Sequence, residues 1–194
     1  MTVNLLTGAN LFGSLQLNGS AGTAGQALIS GGPGALPTWG TIGASEIDTL
    51  TSTQQSTTTA LANVTQLVGT LAANATYLVD CFVSFQSAAT TTGLNLGFTS
   101  PTGCRPMVEI VVPLVSTAAA SALRTTFPNA ASTTSGNVLG TGVTAINSNH
   151  TARISGIIVN GTTAGNFQIQ FATEVNASAV TLQIGSTMHL TRIA

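Results

Sequence analysis

The 194-residue sequence contains no lysine. Its basic residues are the arginines Arg105, Arg124, Arg153 and Arg192. Against them stand the carboxylates Glu46, Asp48, Asp80, Glu109 and Glu174, for a net charge of −1. Charged residues are 5% of the chain, where an ordinary soluble domain has about a quarter. Each scarcity removes a class of function. A P-loop requires a lysine, so nucleotide hydrolysis by that route is excluded. Nucleic acid requires clustered cations to neutralise phosphates, and four scattered arginines leave no such footprint. Five dispersed carboxylates form neither a local metal-ligand cluster nor a close pair across a sugar cleft. Aromatic residues are also 5%, too few for a groove lined with sugar-stacking rings. Long apolar runs are missing too: the longest, residues 110–115, is broken by Pro113 and falls far short of the roughly 18 residues that span a bilayer.

Catalytic and covalent chemistry is equally thin. There is no G-x-S-x-G elbow. His150 and His189 are the only imidazoles. A Ser/His/Asp set with Asp80 is formally available, but activation needs all three groups in one geometry, and two isolated histidines read as structural. A disulfide between Cys81 and Cys104 and a pair of buried free thiols are both open, and the free thiols are expected first. No catalytic, cofactor or metal residue is assigned. The amino terminus carries neither a basic segment nor a continuous apolar one, so no secretion signal is expected. The sequons at Asn18, Asn63, Asn74, Asn149, Asn160 and Asn176 then read as products of an Asn/Ser/Thr-rich composition.

What is present is apolar and β-branched. The chain is 43% hydrophobic with a mean hydropathy of +0.42, which argues against disorder. A surface so poor in charge does little to keep copies apart, so burial against other subunits is expected.

Three regions are expected along the chain. Residues 1–44 form an extended Gly-rich arm with short apolar pieces at Leu5, Leu6, Leu11, Leu15 and Leu17. Residues 45–62 are a polar, Thr-rich linker. Residues 63–194 form the body. From the end of the linker into the body, Leu61, Val64, Leu67, Val68 and Leu71 fall at helical spacing, so a short helix or seam competes with a hairpin, but the Thr run lowers helix propensity and an extended run into the first strand is expected. Downstream, strands are expected at 77–86, 94–98, 107–115, 138–146, 152–159, 166–172, 179–184 and 187–193. Phe167, Ile169 and Phe171 show the cleanest alternation. Pro106 and Pro113 push the strand at 107–115 towards an edge. Asn160-Gly161 reads as a hairpin turn, and Asn129 as a further turn signal. Eight or so short strands predict an all-β fold, an antiparallel β-sandwich of jelly-roll-like type.

Gly22 to Trp39 (GTAGQALISGGPGALPTW) is the most specific stretch. A short strand, 26–29, runs into a Gly-Gly-Pro-Gly turn, and a step bounded by Pro37 delivers the chain's one tryptophan. Glycines there supply positive φ, while Pro33 and Pro37 fix φ and exclude helix. Trp39 has two readings: an aromatic packed in the arm's own turn, or an anchor for another subunit. Gln26, Pro33, Pro37 and Trp39 are taken as particle or subunit interface residues. The segment resembles one that recurs in virion proteins of tailed bacteriophages, in tail fibres, head fibres and capsid decoration proteins, ahead of a β-rich body. The runs YLVDCFVSFQSAATTTGLNLG and FQIQFATEV…AVTLQIGSTMHLTRI also look like the first and last strands of the domain those proteins carry. The resemblance implies a non-enzymatic virion protein, assembled in the bacterial cytoplasm, whose partners are itself, as a homotrimer, and the major capsid protein or another virion protein. A capsid decoration (cement) or head-fibre role is expected first. A short tail fibre or tail-tip protein binding host glycan comes next, and a lectin-like or hydrolytic trimeric module last. Neither nucleic acid nor membrane is expected as a partner.

Overall fold

The structure, a computed structural model, describes residues 16–17, 19–23, 26–31, 33–41, 45–114, 122–127 and 135–194. Leu5, Leu6, Leu11, Leu15, Asn18, Val115 and Asn129 lie outside them. The chain forms two compact units, Met1–Ala44 and Ser45–Ala194.

In the first unit β1 (Gln26–Ile29) pairs antiparallel with β2 (Thr38–Thr41), with Leu28 opposite Trp39. The second unit holds β3 (Ser45–Thr49), β4 (Gln54–Ser56), β5 (Ala62–Leu71), β6 (Thr76–Ser87), β7 (Leu94–Thr99) and β8 (Arg105–Pro113). It continues with β9 (Ala122–Phe127), β10 (Ser135–Leu139), β11 (His150–Val159), β12 (Gly165–Thr173), β13 (Val180–Leu182) and β14 (Thr187–Arg192). Every named element is a strand and every ladder is antiparallel.

Strands β5 to β12 form two four-stranded layers, in the orders β5-β12-β7-β10 and β6-β11-β8-β9. Apart from β8 to β9, each successive strand in this set crosses to the other sheet, and that double Greek key is a jelly roll. β14 and β3 widen the second layer beyond β6, while β13 pairs with the end of β6 and with β4. The all-β antiparallel sandwich expected from the strand pattern is the observed fold.

Alternation decides which side of each strand meets the core. β6 buries Tyr77, Val79, Cys81, Val83 and Phe85, and β12 buries Phe167, Ile169 and Phe171. Phe98 and Phe167 stack at 5.2 Å across β7 and β12. Each such side chain contributes about 1.5–3 kcal/mol on burial. Gly69 lets the layers close: a Cβ there would lie 2.7 Å from Leu190 Cδ2.

Three local expectations give way to tertiary context, and one open alternative closes. The helical spacing over 61–71 is a bulged strand. Gln168 pairs with Val68 but Gln170 with Asn63, so β5 carries extra residues there, and its inward positions change phase between Val64 and Leu67, which shares its side with Gly69 and Leu71. The Gln168 amide fills the gap, donating to the carbonyls of Val64 (2.6 Å) and Leu67 (3.2 Å). Strand β8 is interior, between β11 and β9. Its prolines are tolerated because Pro106 lies before the β9 pairing begins and Pro113 after the β11 pairing ends. Asn160-Gly161 is a corner between sheets, since β11 and β12 never pair. There Asn160 is buried and its amide donates to the carbonyls of Ala72 and Thr163, so it is inaccessible as a glycan acceptor. Finally, the Thr-rich stretch 45–62 holds β3 and β4, which pair with β14 and β13.

Candidate assembly interface

The arm closes on itself by hydrogen bonds from residues that look unremarkable in sequence. Leu17 and Ser20 exchange backbone bonds of 2.8 and 2.9 Å. The Thr23 amide donates to Gln26 Oε1 at 2.8 Å, and the Gln26 amide donates back to the Thr23 carbonyl at 3.0 Å. Trp39 Nε1 donates to the Ser20 carbonyl at 3.0 Å. Its indole lies on Gly22, where a Cβ would stand 2.8 Å from Trp39 Cδ2 and where φ is +74°. Only glycine meets both demands without strain. Gly34, in the loop between β1 and β2, takes φ +80° beside Pro33. Of the four sequence-assigned interface residues, Gln26 and Trp39 are therefore tied into the arm's own closure. Pro33 is exposed at the turn and Pro37 is half-buried. Among the described residues, the large apolar side chains the arm leaves open are Leu28, Ile29 and Leu36.

The body has two outer faces of different chemistry. The face of β5, β12, β7 and β10 is amide-rich and uncharged. There the Asn137 amide donates to Asn95 Oδ1 and the Gln170 amide to Asn63 Oδ1. On the other sheet, register aligns three rows. The first runs Ser45, Thr191, Leu78, Ile157 and Met107. The second runs Ile47, His189, Asp80, Ser155 and Glu109, and the third Thr49, Thr187, Phe82, Arg153 and Val111. Ile47, Leu78, Phe82 and Ile157 are 60, 47, 41 and 38% exposed. Among them Arg153 grips Asp80 in a bidentate pair, Nε to Oδ1 at 2.8 Å and Nη2 to Oδ2 at 3.0 Å. Its guanidinium sits 4.8 Å from the Phe82 ring centre. That carboxylate raises the Arg153 pKa above its ordinary value. Sequence reading missed this face, although it left a signal: β6 (YLVDCFVSF) and β11 (ISGIIV) are apolar on both sides, the pattern of strands covered on both faces.

The same rows bear on nucleophilic chemistry. Asp80 lies between His189 and Ser155, whereas a triad needs the imidazole in the middle. His150 is elsewhere, its Nε2 2.8 Å from the Ala145 carbonyl and its ring 5.6 Å from Phe85. Cys81 and Cys104 are buried free thiols, and burial pushes both pKa values up, most strongly for Cys81. At the β3 edge, Glu46 Oε2 accepts from the Thr70 amide at 3.1 Å, while Asp48 Oδ2 is buried without a hydrogen-bond partner. Burial, and then the neighbouring Glu46, raises the Asp48 pKa. Among the described residues no group of three or more His, Cys, Asp or Glu is placed to hold a metal. No helix is long and apolar enough to cross a membrane.

The body is thus a jelly-roll domain with one amide face and one mixed apolar face. No family model and no curated protein matches the sequence. Among solved structures, infectious bursal disease virus Gt strain aligns with a TM-score of 0.40 at 10% identity, covering 87% of this chain and 43% of that one. The VP2 subviral particle of the same virus aligns at 0.27 and 9%, covering 87% and 47%. The chain spans less than half the length of these structures, and overlaps this loose support no argument about function.

Proposed function

We propose that the chain is a non-enzymatic structural protein of a tailed-bacteriophage virion, a capsid decoration or head-fibre protein that assembles as a homotrimer. The arm attaches it to the major capsid protein or another virion protein, and the jelly roll projects and associates with its copies. The observation that carries this reading is the hairpin at Gln26–Thr41. The segment resembling those of phage virion proteins closes as its own unit, with Trp39 locked on Gly22 and Ser20. A pre-ordered hairpin presenting Pro33, Leu36, Leu28 and Ile29 loses little entropy on docking. Gln26 and Trp39 hold its shape, while Pro33 and Pro37 set its turn.

Attachment through apolar and hydroxyl contacts has little electrostatic content, so it resists moderate salt. Deletion of residues 1–44 is the direct test. The truncated body is expected to lose sedimentation with particles while keeping its far-ultraviolet spectrum and its melting transition. Undiminished decoration by the truncated chain overturns the division of labour.

A further inference from the structure

The outer face of β3, β14, β6, β11 and β8 is built to be covered. In a sandwich with one solvated side, outward positions are mostly polar, as on the opposite face of this body, where paired Asn and Gln side chains stand with Leu139 as the one strongly exposed large apolar residue among those described. Here they include Ile47, Leu78, Phe82, Ile157, Met107 and Val111. Chemistry selects the occupant. The outward charges on β6, β11 and β8 are Arg105, Arg153, Asp80 and Glu109, two of each sign. A balanced face does not repel its own copy, whereas a strongly charged partner would find no field to meet. Size agrees. Five strands spaced about 4.8 Å and averaging roughly 28 Å in length offer on the order of 700 Å². A stable interface buries about 800 Å² per partner.

We infer that this sheet face is the contact between copies of this chain, with Leu78, Phe82 and Ile157 at its centre and the Arg153–Asp80 pair fixing its register. The inference rests on the self-assembly reading above and names the surface that performs it.

Sedimentation of the full chain and of the Leu78→Glu/Ile157→Arg double variant, over a wide range of concentration, tests it. Both positions are exposed in the single chain, so the variant is expected to fold with an unchanged melting transition. The expected outcome is an oligomeric parent and a variant weakened roughly a hundredfold or more in self-association. Ile146→Glu, an exposed apolar position outside these strands, is expected to leave the oligomer intact. Should the double variant fail to fold, Leu78→Thr/Ile157→Thr, which suits a strand, is expected to weaken association in the same direction. A monomeric parent overturns the self-assembly reading and this inference together. An oligomeric parent with an equally oligomeric double variant overturns the face alone. So does loss of the oligomer in Ile146→Glu to the same extent, or a variant that keeps its oligomer but no longer binds particles.

Discussion

The two units of this chain reach order by different physics. The body is held by a continuous apolar core in which Phe85, Phe98, Phe167, Phe171 and a dozen or so aliphatic side chains are fully buried. Among its described residues the arm has no such core. Its order comes from turn chemistry, from hydrogen bonds of Ser20, Thr23 and Gln26, and from one indole laid on one glycine. The body tolerates awkward local sequence because many contacts outvote any one residue. The arm depends on particular residues at particular positions, which is why its sequence reads as a motif and the body's as a texture.

That contrast can be broken in three places. The largest effect is expected from Phe167→Ala, which removes a ring stacked on Phe98 in the centre of the sandwich. A loss of about 3–5 kcal/mol follows, or roughly 10 °C in the melting transition. Before unfolding, the emission of Trp39 should stay unchanged; a shift in that emission at low temperature would mean the arm shares the body's core. Next comes Gly22→Ala. A methyl group at φ +74° and 2.8 Å from the indole costs about 1–2 kcal/mol of local stability. It should red-shift Trp39 emission and speed exchange of the indole proton, while the body melts as before. An unaltered indole would show that the glycine seat is not what orders the arm.

The smallest effect is electrostatic. The Asp48 pKa is raised, chiefly by burial and then by Glu46, so the folded state disfavours its ionised form. Below the ordinary aspartate value, near 3.9, the group is protonated folded or unfolded and nothing is lost. As pH rises through the raised value the penalty develops, and above it the penalty is complete. Asp48→Asn should therefore raise the melting temperature at pH 7 by about 1–2 °C, under about 1 kcal/mol after solvent screening. The gain should vanish near pH 3. A loss of stability at pH 7 would show that the ionised carboxylate is favoured at the β3 edge.

Much of the body was legible in sequence because inward alternation survives any arrangement of neighbours. The run Phe167, Ile169, Phe171 marked β12 without help, and β1 follows directly from the apolar piece ahead of its Gly-Pro turn. The residues that misled did so for reasons held by their partners. Leu61 to Leu71 mimicked a helix because a bulge opposite Gln168 stretched a two-residue period. Pro113 suggested an edge because only the register shows that the β11 pairing has already ended before it. Asn160-Gly161 carried hairpin chemistry, but its asparagine bonds to the carbonyl of Ala72 on another loop and turns the chain between sheets. The body's exposed face was the least legible of all, since the pairing of Leu78 with Ile157 and of Phe82 with Arg153 exists only once β6 and β11 are side by side.

By itself, then, the sequence determined an all-β chain, almost without charge, with a rigid glycine- and proline-shaped segment ahead of a sandwich-sized body. Periodicity, turn residues and composition are local properties, and they suffice for that. Only the tertiary structure decided that the strands cross between sheets as a jelly roll, that Trp39 closes its own hairpin, and that apolar positions on four strands fall on one face. Those depend on register and strand order, which are set by packing between residues far apart in the chain.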